Sequence, residues 1–296
     1  MGGFFTYQIF GQVLINGILF GSMYGIAAIG LSLIFGSMQI IFIAQGAVMI
    51  LAAYCCYWLF TLASMDPFLS LIPLIPLFLG FGWLLYVGLF HNVARAGKNS
   101  SLLMAFGLMI LLENLMSVIW TPNPRAIRTS YTAWGLSWGP LQISFTRLMI
   151  FFTSLTAAGL VYLFIKKTLW GKAVRGASED MEAAALVGIS PRRVSGITFA
   201  IGIALAGIAG IATATTYPFD PYFGFIFSLK ALIAVALGGI GNVGGALLGG
   251  ILLGVIESIG SYTISGGWAD AISYGVFLLV IMFRPEGLFG QAYRSA

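Results

Sequence analysis

Charge is what this sequence has least of. Only 8% of its 296 residues are Asp, Glu, Lys or Arg, and the first of them is Asp66. A soluble domain carries about 25% charged residues and is roughly half apolar; here 59% are hydrophobic. Further uncharged runs cover 67–90, 148–165, 194–219 and 231–256. Each approaches or exceeds the roughly 20 residues that a helix needs to cross about 30 Å of hydrocarbon. No soluble fold of this length can bury so much apolar surface, so the chain is expected to be an all-α integral membrane protein.

Other scarcities exclude classes of chemistry. The two cysteines, Cys55 and Cys56, are adjacent within an apolar run, which suits packing and gives neither a disulfide framework nor a metal-binding spacing. With one histidine and no His-Glu-x-x-His, a membrane hydrolase is poorly supported. Gly97-Lys98 and Gly171-Lys172 lack the flanking pattern of a phosphate-binding loop, so the chain is not expected to hydrolyse ATP or to hold a cofactor or metal. The net charge of +5 does not indicate nucleic acid, because six of the fourteen basic residues fall between Lys166 and Arg193, the pattern of a cytoplasmic loop. The start has no basic region or cleavage site, so the first apolar segment is expected to remain as an anchor.

Turn residues and charges divide the apolar runs into about nine passes, with eight to ten the range: 8–34, 39–62, 68–90, 102–120, 144–165, 196–216, 224–239, 244–262 and 268–283. Placing His91 to Lys98, the loop 166–195 and the tail from Arg284 in the cytoplasm requires an odd count and an external N-terminus. The loop 121–143 is then outside. Its Tyr131, Trp134 and Trp138 fit an interfacial aromatic belt, or a docking surface for an extracytoplasmic partner. The chain is a single domain, 1–296, with no visible internal repeat.

Thirty-nine glycines exceed what lipid-facing helices need. Gly17, Gly21 and Gly25 recur every four residues, as do Gly241, Gly245 and Gly249, and this spacing puts small residues on one helix face where a neighbouring backbone can approach. The denser stretch Gly238 to Gly245 predicts a break or re-entrant turn, since each glycine costs about 1 kcal/mol relative to alanine in a helix. Broken backbone at membrane depth survives only when buried in protein or lining a wet cavity, which makes Asn242 a pathway candidate. Glu113, Lys230 and Glu257 lie within or near the ends of apolar passes and are functional candidates for the same energetic reason. Lys230 is near enough to the external end to snorkel, and Glu113-Asn114 is deeper, suited to an interhelical hydrogen bond or to solute contact.

The cytoplasmic loop carries the strongest functional signal. Ser178 is placed to cap a short amphipathic helix with Glu179, Asp180 and Glu182 in its first turn, and Gly188 to stop it. Its run Glu182-Ala183-Ala184, three residues, then Gly188, resembles the coupling loop of ABC importer permeases. The fuller motif's Ile-x-Leu-Pro is replaced by Thr198-Phe199-Ala200-Ile201. Gly171 to Gly210, Gly21 to Gly36, Lys230-Ala231 with Leu237 to Gly250, and Arg284 to Gly290 together resemble the H-type permeases of branched-chain amino acid (Liv) importers over nearly the whole chain.

That resemblance implies a permease subunit in a bacterial inner membrane. It implies a second homologous permease, two ABC ATPase subunits that use ATP and Mg, and an extracytoplasmic binding protein. Asp180, Glu182, Ala183, Ala184 and Gly188 would couple to the ATPase, and Tyr24, Phe42, Gln45, Glu113, Asn114 and Asn242 are the pathway candidates. Where the family commonly reads Asn-Phe-Ala-His-Gly-Glu, this chain has Phe42-Ile43-Ala44-Gln45-Gly46-Ala47. Branched-chain or other hydrophobic amino acids, urea and short amides are therefore all open as solutes. The alternative class is a self-sufficient channel or secondary transporter for a small neutral solute.

Overall fold

The structure is a computed structural model that describes residues 2–93, 98–138, 141–239, 241–263, 266–284 and 287–289. Helix α1 spans Gly2–Met38 and α2 Gln45–Ala63. Helix α3, Leu71–Leu85, continues through a π-helical turn, Tyr86–Phe90, into α4, His91–Val93. Helix α5, Lys98–Trp120, leads to a segment with strands β1, Gly135–Trp138, and β2, Leu141–Ser144. Helices α6, Phe145–Lys167, α7, Leu169–Glu179, α8, Met181–Leu186, and α9, Pro191–Thr216, follow. Last come α10, Gly224–Gly238, α11, Val243–Thr263, and α12, Ala269–Phe283. Among the described residues, seven helices are long and apolar enough to cross a membrane, with α10 and α12 as shorter apolar helices. The antiparallel β1–β2 hairpin was not foreseen; it pairs Gly135 with Ser144 and Trp138 with Leu141.

Helices α1 and α9 form the buried centre and run in opposite directions. Their register is fixed by a Ser37–Thr198 hydroxyl contact of 2.7 Å, by Thr213 against Met23, and by Phe20 stacked on Tyr217. Where the two backbones cross, Gly30 faces Gly202, and a methyl group on either would meet the other's carbonyl oxygen. A second reciprocal pair joins α2 to α10, Gly46 against Gly224.

These two pairs mark a local two-fold relation that the sequence does not display. Helix α3 packs on α9 through Phe78, Gly82 and Gly207, as α11 packs on α1 through Gly254, Gly17 and Gly21. Helix α5 lies beside α2 as α12 lies beside α10. The contacts of α1 with α11 and of α2 with α5 are thus matched by those of α9 with α3 and of α10 with α12, whereas α10 packs closely on α11 and α2 barely touches α3.

The predicted glycine faces are divided in α11. Gly250 and Gly254 press on Gly25, Gly21 and Gly17 of α1, while Gly245 and Gly249 press on Gly238 and Ala234 of α10. The break between α10 and α11 lies where the glycines concentrate, with Gly239 at φ +88° and Gly241 at φ +78°, a left-handed geometry that only glycine adopts without strain. Ile240 and parts of the 91–98 and 284–296 segments lie outside the described residues.

Candidate functional site

The second span is broken. Its apolar run begins at residue 39, yet the helix begins at Gln45, and residues 39–42 are neither helix nor strand, although Ile40, Phe42 and Ala44 are buried. Backbone outside a helix must find other partners where water is excluded. Ser228 of α10 supplies two of them, its hydroxyl donating to the Ile43 carbonyl (2.6 Å) and accepting from the Gly46 N–H (2.7 Å). Phe42 packs edge-on against Phe90 and Phe199, at ring distances of 5.6 and 5.1 Å.

Gln45 turns back onto α1, its amide nitrogen donating to the Ala27 carbonyl, while its Oε1 is buried without a donor. One turn earlier on α1, Tyr24 meets α10. Lys230 Nζ lies 3.3 Å from the Tyr24 hydroxyl, 2.7 Å from Glu257 Oε1 of α11 and 3.0 Å from Asp270 Oδ1 of α12. Lys230 is buried, with only 7% of its side chain exposed, in place of the expected snorkelling position at the surface. Two carboxylates and an aromatic ring surround it there and offset part of the cost of burying the ammonium. Asp270 was missed by sequence reasoning, because it follows Trp268 at the end of an apolar run and looks like an ordinary interfacial residue.

The remaining pathway candidates are dispersed. Glu113 is on the buried side of α5, but Asn114 points outward and its amide returns to the Ile110 carbonyl at 2.8 Å. Asn242 is exposed in the α10–α11 turn. Its Oδ1 accepts from the Gly245 N–H (3.1 Å), closing the first turn of α11, and its Nδ2 donates to the Phe289 carbonyl (3.3 Å).

In the loop 166–195 the predicted single helix is two, α7 and α8, separated at Asp180. Asp180 Oδ1 accepts from the backbone of Glu182 and Ala183, each at 2.9 Å. The expected cap, Ser178, instead closes the last turn of α7, donating to the Val174 carbonyl at 2.8 Å. A carboxylate is the stronger acceptor at the positive helix end, and a serine inside a helix readily bonds back to the carbonyl four residues earlier. Val174 and Ala177 of α7, Ala184 of α8 and Val194 of α9 form a small separate core that fixes the pair. Gly188, at φ +89°, follows α8, and the Ile189 N–H reaches the Ala184 carbonyl at 3.1 Å. What faces water is Glu182, Ala183, Leu186 at 90% exposure and Val187 at 78%.

At the opposite end, the hairpin is bound to α1 through Gln12 and Gln142, at 2.7 and 2.8 Å. Arg125 spans from the Trp120 carbonyl to the rings of Tyr57 and Trp58, and its backbone pairs with Phe219. Trp134 is largely exposed, and the side chain of Trp138 lies outside the described residues.

Comparison with known proteins agrees with this architecture. The family described as branched-chain amino acid transport system / permease component matches residues 13–281. The high-affinity branched-chain amino acid transport system permease protein BraD of Pseudomonas aeruginosa is 31% identical over 95% of both chains. LivH of Salmonella typhimurium, described likewise, is 30% identical over 96% of this chain and 97% of its own. The corresponding LivM of Escherichia coli is 32% identical over 120 residues, 40% of this chain and 28% of its own. With seven long apolar helices and two shorter ones among the described residues and a match along nearly its whole length, this chain belongs to the permease components of branched-chain amino acid transport systems.

Proposed function

We propose that this permease component forms one half of the membrane pathway of an ATP-driven importer for branched-chain or other hydrophobic amino acids. The other half is a second, homologous permease, a pairing supported by the partial similarity to LivM. Two ABC ATPase subunits bind ATP and Mg, and an extracytoplasmic protein delivers the solute. The membrane is the bacterial inner membrane, with the N-terminus outside and the loop 166–195 and the tail inside.

One observation carries the reading: α8 and the residue that caps its C-terminus present two largely exposed aliphatic side chains, Leu186 and Val187, beside Glu182 on a helix capped by Asp180. Exposed aliphatics on an ordered element indicate a covered surface. Closure of the ATPases pushes α8, and the satellite core transmits that push through α7 and Val194 into α9, one of the two central helices. Solute passes the broken start of α2, where Phe42 offers an apolar face and Tyr24 and Gln45 offer polar ones. Hydrogen bonds already commit Asn242 to capping and Asn114 to its own helix.

Replacing Leu186 and Val187 together by Asp tests the docking. The tagged variant should still reach the membrane but should copurify with little or no ATPase. ATPase recovery equal to wild type contradicts the assignment.

A further inference from the structure

Ion pairs that serve only to hold a membrane bundle together are expected to balance in charge and to satisfy their oxygens, because each unmet buried polar atom costs free energy. The node on α10 does neither. Lys230 faces two carboxylates, Glu257 and Asp270, so the ionised node carries one surplus negative charge. Glu257 Oε2 is buried and has no hydrogen-bond donor among the described residues. The surroundings suit a cation: Tyr24 presents its ring 5.1 Å from Lys230 Nζ, with Phe227 against Tyr24 and Tyr217 against Phe227. Asp270, 49% exposed at the start of α12, opens the node toward the surface.

We propose that the Lys230 ammonium is a tethered stand-in for the ammonium group of the solute, and that Glu257 and Asp270 receive that group as the solute crosses. Lys230 directs its Nζ at Glu257 Oε1, Asp270 Oδ1 and the Tyr24 hydroxyl. A primary α-ammonium has the same three donors and the same charge. Exchanging one for the other leaves the electrostatic balance of the node intact, while the flexible lysine stem carries its displaced charge toward the interface. Gln45 Oε1, another buried acceptor without a donor among the described residues, is anchored through Ala27 one turn along α1 from Tyr24, which continues the polar track toward the broken start of α2. This assignment rests on the amino-acid reading of the solute.

The test uses the whole complex, with its binding protein, in proteoliposomes, and reads leucine moved per ATP hydrolysed. Losing a hydrogen bond to a charged group costs about 1.5–3 kcal/mol, so Glu257→Gln should lower this ratio about ten-fold or more. The double variant with Lys230→Gln should be as low as Glu257→Gln alone. A structural ion pair behaves differently: both single variants fall and the double variant recovers, a result that overturns the proposal, as does an unaffected Glu257→Gln. If Lys230→Gln does not assemble, Asp270→Asn decides. A several-fold fall in leucine per ATP with unchanged ATPase rate and thermal stability supports the node as a solute site, and an unchanged ratio overturns it. Wild-type complex that moves urea but not leucine would instead reject the amino-acid reading, independently of the variants.

Discussion

Asp180 and Gly188 bracket seven residues, 181–187, on which the proposed coupling rests. Without the Asp180 carboxylate, the Glu182 and Ala183 N–H groups lose their acceptor, at a cost of about 1 kcal/mol. In an exposed six-residue helix that is enough to fray it. Asp180→Ala should therefore lower uptake while ATP hydrolysis continues, and Asp180→Asn, which can still cap, should restore most of the loss. Simultaneous measurement of ATPase rate and uptake checks both. Gly188→Val should do similar damage, since a left-handed residue with a Cβ costs about 1–2 kcal/mol. At this scale the sequence was partly legible. The Glu-Ala-Ala-x-x-x-Gly run and the Gly188 stop could be seen, but the cap fell on the wrong residue because Ser178 and Asp180 are both good caps and only the backbone at Asp180, extended at φ −151°, decides between them. Asp270 was invisible, since its importance comes from where α12 meets α10.

Glycines separate into two classes by what lies beside them. At Gly21, Gly250 and Gly254 the neighbouring helix backbone occupies the place of a side chain, whereas Gly80, Gly107 and Gly159 have open surroundings. Gly21→Leu or Gly254→Leu should force α1 and α11 apart and lower the melting temperature in detergent, visible by fluorescence-detected size exclusion. Gly80→Ala, Gly107→Ala and Gly159→Ala should be neutral or stabilising by up to about 1 kcal/mol, because alanine is the better helix former. Four-residue spacing exposed the first class to sequence reading. The nine apolar segments were also readable, since hydrocarbon thickness sets helix length. The unwound start of α2 was not readable: Ile40, Ile41, Phe42 and Ile43 continue the hydrophobic run, and only the Ser228 bonds from a distant helix show that this backbone has left the helix.

Across the whole molecule, two reciprocal helix crossings are carried by contacts that the sequence does not report. Both crossings need small residues, Gly30 with Gly202 and Gly46 with Gly224. Gly46→Ala and Gly224→Ala should each impair folding more than any of the open-surround substitutions, because the partner backbone cannot retreat without moving α2 or α10 as a body; yield of monodisperse protein measures this. The central claim is that this bundle is the membrane half of a machine driven from its cytoplasmic loop. Its most direct test is labelled leucine uptake into proteoliposomes that hold the complex copurified with this chain, supplied with binding protein and with ATP enclosed. The account predicts accumulation that requires hydrolysable ATP and is abolished by the paired Leu186→Asp and Val187→Asp substitutions. Uptake that proceeds equally without ATP, or survives those substitutions, would contradict it.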